Sequence, residues 1–254
     1  MKASNFWLVF FAAIFIYSCN GGDKILLRLE LKTNKKIDLK YRTSEYAEKE
    51  NGAPLKTEYV RMTMRVDRIM PDSAYQFLAK CDFIRITNPG LLGDEEYTSD
   101  KDQSQLSEAG RQLDEKLTPA VDSLYQFTID KTGKIVKPIS FAGGKAISPE
   151  NALINLNIFQ IGFPATAVGI NETWITETDL PGSIYQRKST YAIESIYDNT
   201  VQIKVDGKID GTAKDAKTFT GRYYLNKETN NLDSCRLEIK SADKGLTVIT
   251  LAAK

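Results

Sequence analysis

Short strings in this 254-residue chain have spacings that some chemistry uses. Ser241-Ala242-Asp243-Lys244 matches the serine-x-x-lysine string of certain acyl-transfer enzymes. Those enzymes set the serine at the start of a buried helix and carry further motifs elsewhere, whereas here the string falls between two strand-like runs, just before Gly245. Gly143-Gly144-Lys145 has the outline of a phosphate loop, but the first glycine is missing and Ala146 replaces the hydroxyl residue after the lysine, so it reads as a turn. Asp94-Glu95-Glu96, Asp100 and Asp102 could offer oxygens to calcium. They lack the alternating ligand positions and central glycine of a calcium loop, and read as a solvated acidic loop. Histidine is absent, which removes the commonest neutral-pH general base and metal ligand, and with it histidine triads and most zinc sites. The expectation is a non-enzymatic protein with no cofactor and no metal.

Cysteine chemistry is more telling. Lys2 and the apolar run Phe6 to Ile16 have the layout of a secretory leader, and the run is shorter than the roughly 20 apolar residues a spanning helix needs. Ser18-Cys19 then resembles a bacterial lipobox, in which the cysteine is lipidated and becomes the first residue of the mature chain. Tyr17 departs from the small residue usual one place earlier, and an ordinary leader that happens to contain a cysteine is the alternative. On the lipobox reading, residues 1–18 are a signal peptide, Cys19 is the lipid attachment site, residues 19–24 are a short tether and residues 25–254 form a single β-rich domain. Several acyl chains on one residue anchor firmly where one holds marginally.

Without Lys2, basic residues fall from 34 to 33 and balance the 33 acidic ones. No clustered basic charge marks a nucleic-acid partner. Cys81 and Cys235 remain after lipidation, and an oxidising envelope permits a bridge between them. Both lie in phase with apolar residues of strand-like runs, so two buried thiols stand as the alternative to a disulfide.

The elements that must position these residues are strands. Period-two alternation runs through Ile37-Leu39-Tyr41, Val60-Met62-Met64-Val66, Tyr75-Phe77-Ala79-Cys81-Phe83, Val201-Ile203-Val205, Phe219-Gly221-Tyr223-Leu225 and Cys235-Leu237-Ile239, the signature of antiparallel sheet with one wet face. Turn residues at Met70 to Ser73, Asp130 to Gly133, Tyr197 to Thr200 and Asn226 to Asn231 join them as hairpins. Helical spacing appears from about Ser104 to Leu117, closed by Pro119, and Ser148-Pro149-Glu150 starts a second short helix to about Phe159. The predicted fold is mainly β: an antiparallel meander of long hairpins forming a curved sheet or two packed half-barrel sheets, with two short helices. Arg65 to Asp82 and Tyr191 to Gly207 share a strand, turn, strand grammar, so residues 25–145 and 165–254 could be repeated halves or two runs of hairpins with common turn chemistry.

The lipobox, the Asp-Ser and Asp-Asn-Thr hairpins, the Asp-Lys-Thr-Gly hairpin and Phe163-Pro164 followed by Val168-Gly169-Ile170-Asn171-Glu172-Thr173-Trp174 resemble an uncharacterised family of Bacteroidetes envelope lipoproteins. Ile170-Asn171-Glu172 departs from the acidic residue expected straight after the glycine. More loosely, the architecture is similar to LolA-like carriers and mycobacterial lipid-binding lipoproteins. That similarity implies a concave apolar face able to hold acyl chains. The expected role is a cell-envelope lipoprotein, held on the membrane by Cys19, most simply the outer membrane, and binding a lipid or other hydrophobic ligand. A structural or adaptor protein with a filled interior is the alternative. Trp174, which begins a strand after a glycine-containing turn, is the candidate ligand or seam aromatic.

Overall fold

The computed structural model describes residues 24–50, 52–90, 93–121, 123–142, 160–179, 186–210, 216–241 and 245–254. The strands are β1 (Lys36–Tyr46), β2 (Lys56–Ile69), β3 (Tyr75–Gly90), β4 (Gly93–Thr98), β5 (Leu124–Ile129), β6 (Ile135–Phe141), β7 (Thr173–Asp179), β8 (Gln186–Tyr197), β9 (Thr200–Asp210), β10 (Lys217–Asn226), β11 (Leu232–Ser241) and β12 (Gly245–Ala253). They form one 12-stranded sheet in the order β6-β5-β3-β2-β1-β12-β11-β10-β9-β8-β7, with β4 paired to β3 off this path. Every pairing between strands is antiparallel. The first meander runs outward from the centre and the second runs inward from the opposite edge, so the first and last strands meet in the middle. The sheet is a single open one, with β6 and β7 at its edges.

Alternation places the core. Ile37, Leu39, Tyr41, Val60, Met62, Tyr75, Phe77, Val201, Ile203, Tyr223 and Leu237 are buried on one face, while lysines, arginines and carboxylates line the other. Phe83 breaks the expected pattern. The register between β2 and β3 shifts where Arg61 pairs with Phe83 and Met62 with Cys81, leaving Asp82 as the extra residue. Such a bulge turns every later side chain to the other face. Ile84 therefore enters the core, and Phe83 lies edge-on to Tyr59 at 6.1 Å with the Arg61 guanidinium 5.3 Å above its ring.

The helix is displaced from its predicted span. A 3-10 turn covers Gln103–Gln105, and helix α1 runs Glu108–Val121, carrying Pro119 inside its last turn. A proline costs most in a helix interior, where it removes a bond and crowds the carbonyl four residues back; here it stands two residues from the end. The carbonyls left over at this terminus find side chains: Ser123 donates to Pro119, and the Tyr125 hydroxyl donates to Ala120 at 2.7 Å. The predicted helix from Ser148 to Phe159, Gly143-Gly144-Lys145, Ala242-Asp243-Lys244 and the leader with Cys19 lie outside the described residues.

Candidate functional site

Two extended straps cross the core face at the end of the sheet that carries the β2–β3, β5–β6, β8–β9 and β10–β11 turns. The first is residues 24–31. Its alternation of Ile25, Leu27, Leu29 and Leu31 sends leucines into the sheet, with Leu27 wholly buried. An extended segment over an apolar face must find partners for its backbone, and turns supply them. Ile25 and Val168 exchange two bonds of 2.9 Å, Leu29 N–H donates to the Lys131 carbonyl at 3.0 Å, and Glu30 N–H donates to that of Thr229 at 2.9 Å. From β3, the Tyr75 hydroxyl donates to the Leu29 carbonyl at 2.8 Å, and Asn230 donates to that of Arg28 at 2.8 Å.

The second strap is residues 160–170. Arg28 ties it to the first, donating to the carbonyls of Pro164 at 2.6 Å and Ala165 at 2.9 Å. Phe163 N–H reaches the Thr132 carbonyl at 2.8 Å, in the Asp130 to Gly133 turn. That turn is set by Asp130, whose carboxylate accepts from the backbone of Thr132 and Lys134, and by Gly133 at φ 79°. A side chain at Gly133 would collide with the Ile161 carbonyl.

On the other flank the strap is held by β7 and β8. Trp174 Nε1 donates to the Gly162 carbonyl at 2.8 Å, and its ring stacks on Tyr191 at 5.4 Å. Arg187 lies in phase with Ser189, Tyr191 and Ile193 and so points into the core. It donates to the Gln160 carbonyl at 2.5 Å, the Tyr191 hydroxyl at 2.9 Å and the Ser189 hydroxyl at 3.1 Å, with its guanidinium 5.7 Å from the Phe219 ring centre. Burial works against its charge, but Tyr191 and Tyr223 hold its pKa above the ordinary guanidinium value.

Beneath the straps is a cavity of about 100 Å³. Leu29 and Leu31 roof it, Met64, Phe77 and Phe127 form part of its apolar floor, and Gln160 supplies a polar point on its wall. Phe77 and Phe127 stack at 5.1 Å with ring planes 4° apart. The second half of the face is filled by Trp174, Tyr191, Tyr223, Phe219 and Arg187, each buried.

Of the residues singled out from sequence, Trp174 sits where the second strap crosses β7, as a buried packing and hydrogen-bonding residue. Cys81 and Cys235 are both buried and reduced. The choice between bridge and thiols therefore falls on thiols, for a geometric reason. Cys81 is on β3 and Cys235 on β11, with β2, β1 and β12 between them. Four steps of about 4.8 Å put them about 19 Å apart along the sheet, against the roughly 4.4–6.8 Å a disulfide spans. Burial also pushes the Cys235 thiol up to about 12. Among the described residues no group of His, Cys, Asp and Glu could hold a metal. Arg187 and the second strap went unread in the sequence, although the period-two phase of Arg187 with Tyr191 and Ile193 was present in it.

No protein-family model matches the chain, and no curated protein matches it by sequence. Solved structures do. The sheet is similar to that of lipovitellin, in a structure concerned with that protein's lipid–protein interactions, with TM-score 0.51 and 14% identity over 88% of this chain and 25% of lipovitellin. The chain thus spans about a quarter of the lipovitellin chain it matches, and the likeness is one of fold. A candidate lipoprotein of Parabacteroides distasonis aligns at TM-score 0.32 and 11% identity, over 89% of this chain and 99% of its own. An exported-protein candidate of Bacteroides fragilis with a YmcC-like fold aligns at 0.29 and 11%, over 91% and 100%.

Proposed function

We propose that this protein is a lipid-anchored envelope lipoprotein that binds a lipid or other hydrophobic molecule without catalysis. The observation that carries the reading is the apolar cavity on the core face, roofed by straps rather than by the sheet itself. A ligand that displaced Leu29 and Leu31 would enter apolar surface without breaking any pairing between strands. At about 100 Å³ the cavity is smaller than the roughly 300–1,000 Å³ of ligand pockets. Binding therefore requires the straps to lift. Lipovitellin's similar sheet supports the capacity of such an open face to hold lipid, and the leader with Cys19 supports the envelope address and the anchor.

The small volume also favours a second reading, an adaptor with a filled core. Extraction and mass spectrometry of the chain from Asn20, purified from cells, separates the two. A binding module carries a co-purified apolar molecule and takes up a fluorescent fatty acid at one site, more weakly when Leu29→Asp puts a charge in the cavity roof. Neither co-purified lipid nor uptake, with the wild-type fold intact by circular dichroism, leaves the adaptor reading.

A further inference from the structure

We infer that the molecule bound beneath the straps is an uncharged amphiphile, an apolar chain bearing a neutral hydrogen-bonding group such as an ester or an amide, and that the Gln160 side chain binds that group. This rests on the binding-module reading and adds to it the class of ligand. Gln160 is only 6% exposed and lines the cavity. Its backbone is held in place by Arg187, which donates to the Gln160 carbonyl at 2.5 Å. Its side-chain amide, in contrast, has no hydrogen-bond partner among the described residues. Buried polar groups are paired in the great majority of cases, because an unpaired one keeps the full cost of its lost hydration. A ligand group that reaches this amide therefore gains a bond for which no described residue competes.

The rest of the lining says what kind of group that is. Asn230 and Asn231 are the other polar side chains on it. Asn230 already donates its amide to the Arg28 carbonyl, and Asn231 is half-buried. Among the described lining residues none is charged. Arg187 is not one of them, and its guanidinium is engaged by the Gln160 carbonyl and the hydroxyls of Tyr191 and Ser189. An ionised headgroup drawn into the cavity would lose its hydration with no cation on the wall to meet it. A fatty acid must therefore leave its carboxylate at the mouth, in water. A plain hydrocarbon suits Leu29, Met64 and Phe127 but leaves Gln160 unpaired. An uncharged polar group next to the chain satisfies both parts of the lining.

The test uses the chain from Asn20, which retains every described residue. The probes are methyl dodecanoate carrying a carbon-13 carbonyl, dodecanoate at pH 8 and dodecane. Isotope-edited infrared spectra of the bound ester should show its carbonyl band below its position in hexane, as a hydrogen-bonded ester does. In the near-isosteric variant Gln160→Met the band should return to the hexane position and ester affinity fall by roughly fivefold, with dodecane binding no weaker than before. Dodecanoate should bind the unaltered chain at least roughly tenfold more weakly than the ester. The spectrum of the unaltered chain and this ratio need no variant to fold. An ester band at the hexane position, a shift that survives in Gln160→Met, or dodecanoate binding as tightly as the ester overturns the inference while leaving the binding module standing. If neither the ester nor dodecane binds the unaltered chain, the binding-module reading falls, and this inference falls with it.

Discussion

Trp174 and Arg187 are the residues on which the second strap depends, and they do different work. Trp174 contributes ring area against Tyr191 and a single N–H to the Gly162 carbonyl. Trp174→Phe keeps most of the area and loses the bond, at an expected cost of about 1 kcal/mol. Trp174→Ala removes both and leaves a void, at about 3–5 kcal/mol. Urea denaturation midpoints at constant slope distinguish these, and equal losses for the two variants would show that the ring contributes nothing beyond its hydrogen bond. The buried thiols make a second prediction at this scale. Thiolate is the reactive form, and with Cys235 pushed up to about 12 by burial the native protein is inert to thiol reagents at pH 8. Full reaction of Cys81 and Cys235 follows only on unfolding in guanidinium. Reaction of either in the native state would contradict the burial described here.

The strands and turns were largely legible in the sequence, because alternation and turn chemistry are local. All four hairpins read from Met70 to Ser73, Asp130 to Gly133, Tyr197 to Thr200 and Asn226 to Asn231 occur, each with a residue in the left-handed region: Ser73, Gly133, Asp198 and Asn230. Phe83 was misplaced since a bulge depends on the partner strand, and nothing in the residues around Asp82 announces one. The straps were not legible either. The backbone partners of Leu29, Glu30 and Phe163 are the turns at Lys131, Thr229 and Thr132, too distant along the chain for a local pattern to announce. Gly133 is where a local turn and a distant strap meet, and Gly133→Ala must both hold φ 79° and collide with the Ile161 carbonyl. The expected loss is roughly 1–3 kcal/mol from backbone strain alone, with the second strap loosened and amide exchange faster at Phe163. Gly52→Ala, where an added Cβ meets nothing within 4 Å, should be close to neutral. Similar stability for the two variants would mean that the strap does not rest on this turn.

For the molecule as a whole, the core face is rich in groups that ionise only at high pH, and this sets the shape of its stability. Burial pushes Tyr41, Tyr125 and Cys235 up to about 12 and raises Tyr97 and Tyr223 as well, Tyr97 with help from Asp114 and Tyr223 from Tyr191. In the unfolded chain thiols ionise near 8.5 and tyrosines near 10. Below those values both states carry the protons and the groups contribute their full stability. Above them the unfolded chain loses protons that the native sheet retains, so stability falls as pH rises toward the folded values. Tyr41 alone accounts for about 2–3 kcal/mol across that window. On the acid side, Asp38, Glu172, Glu177 and Glu194 are held below the usual carboxylate range by their partners Lys36, Lys24, Lys188 and Arg222. These pairs lie at the surface, where screening leaves them little weight, and Asp233, raised by burial, opposes them. The expected profile is therefore asymmetric: nearly level from about pH 6 to 8.5, then falling steeply through pH 11. Urea midpoints followed across that range, with tyrosinate absorbance recorded alongside, test it. A level midpoint to pH 11, or a folded protein whose buried Tyr41 and Tyr125 titrate together with its exposed tyrosines, would show that the core face is open to water at rest, and the straps would then be no barrier to a ligand.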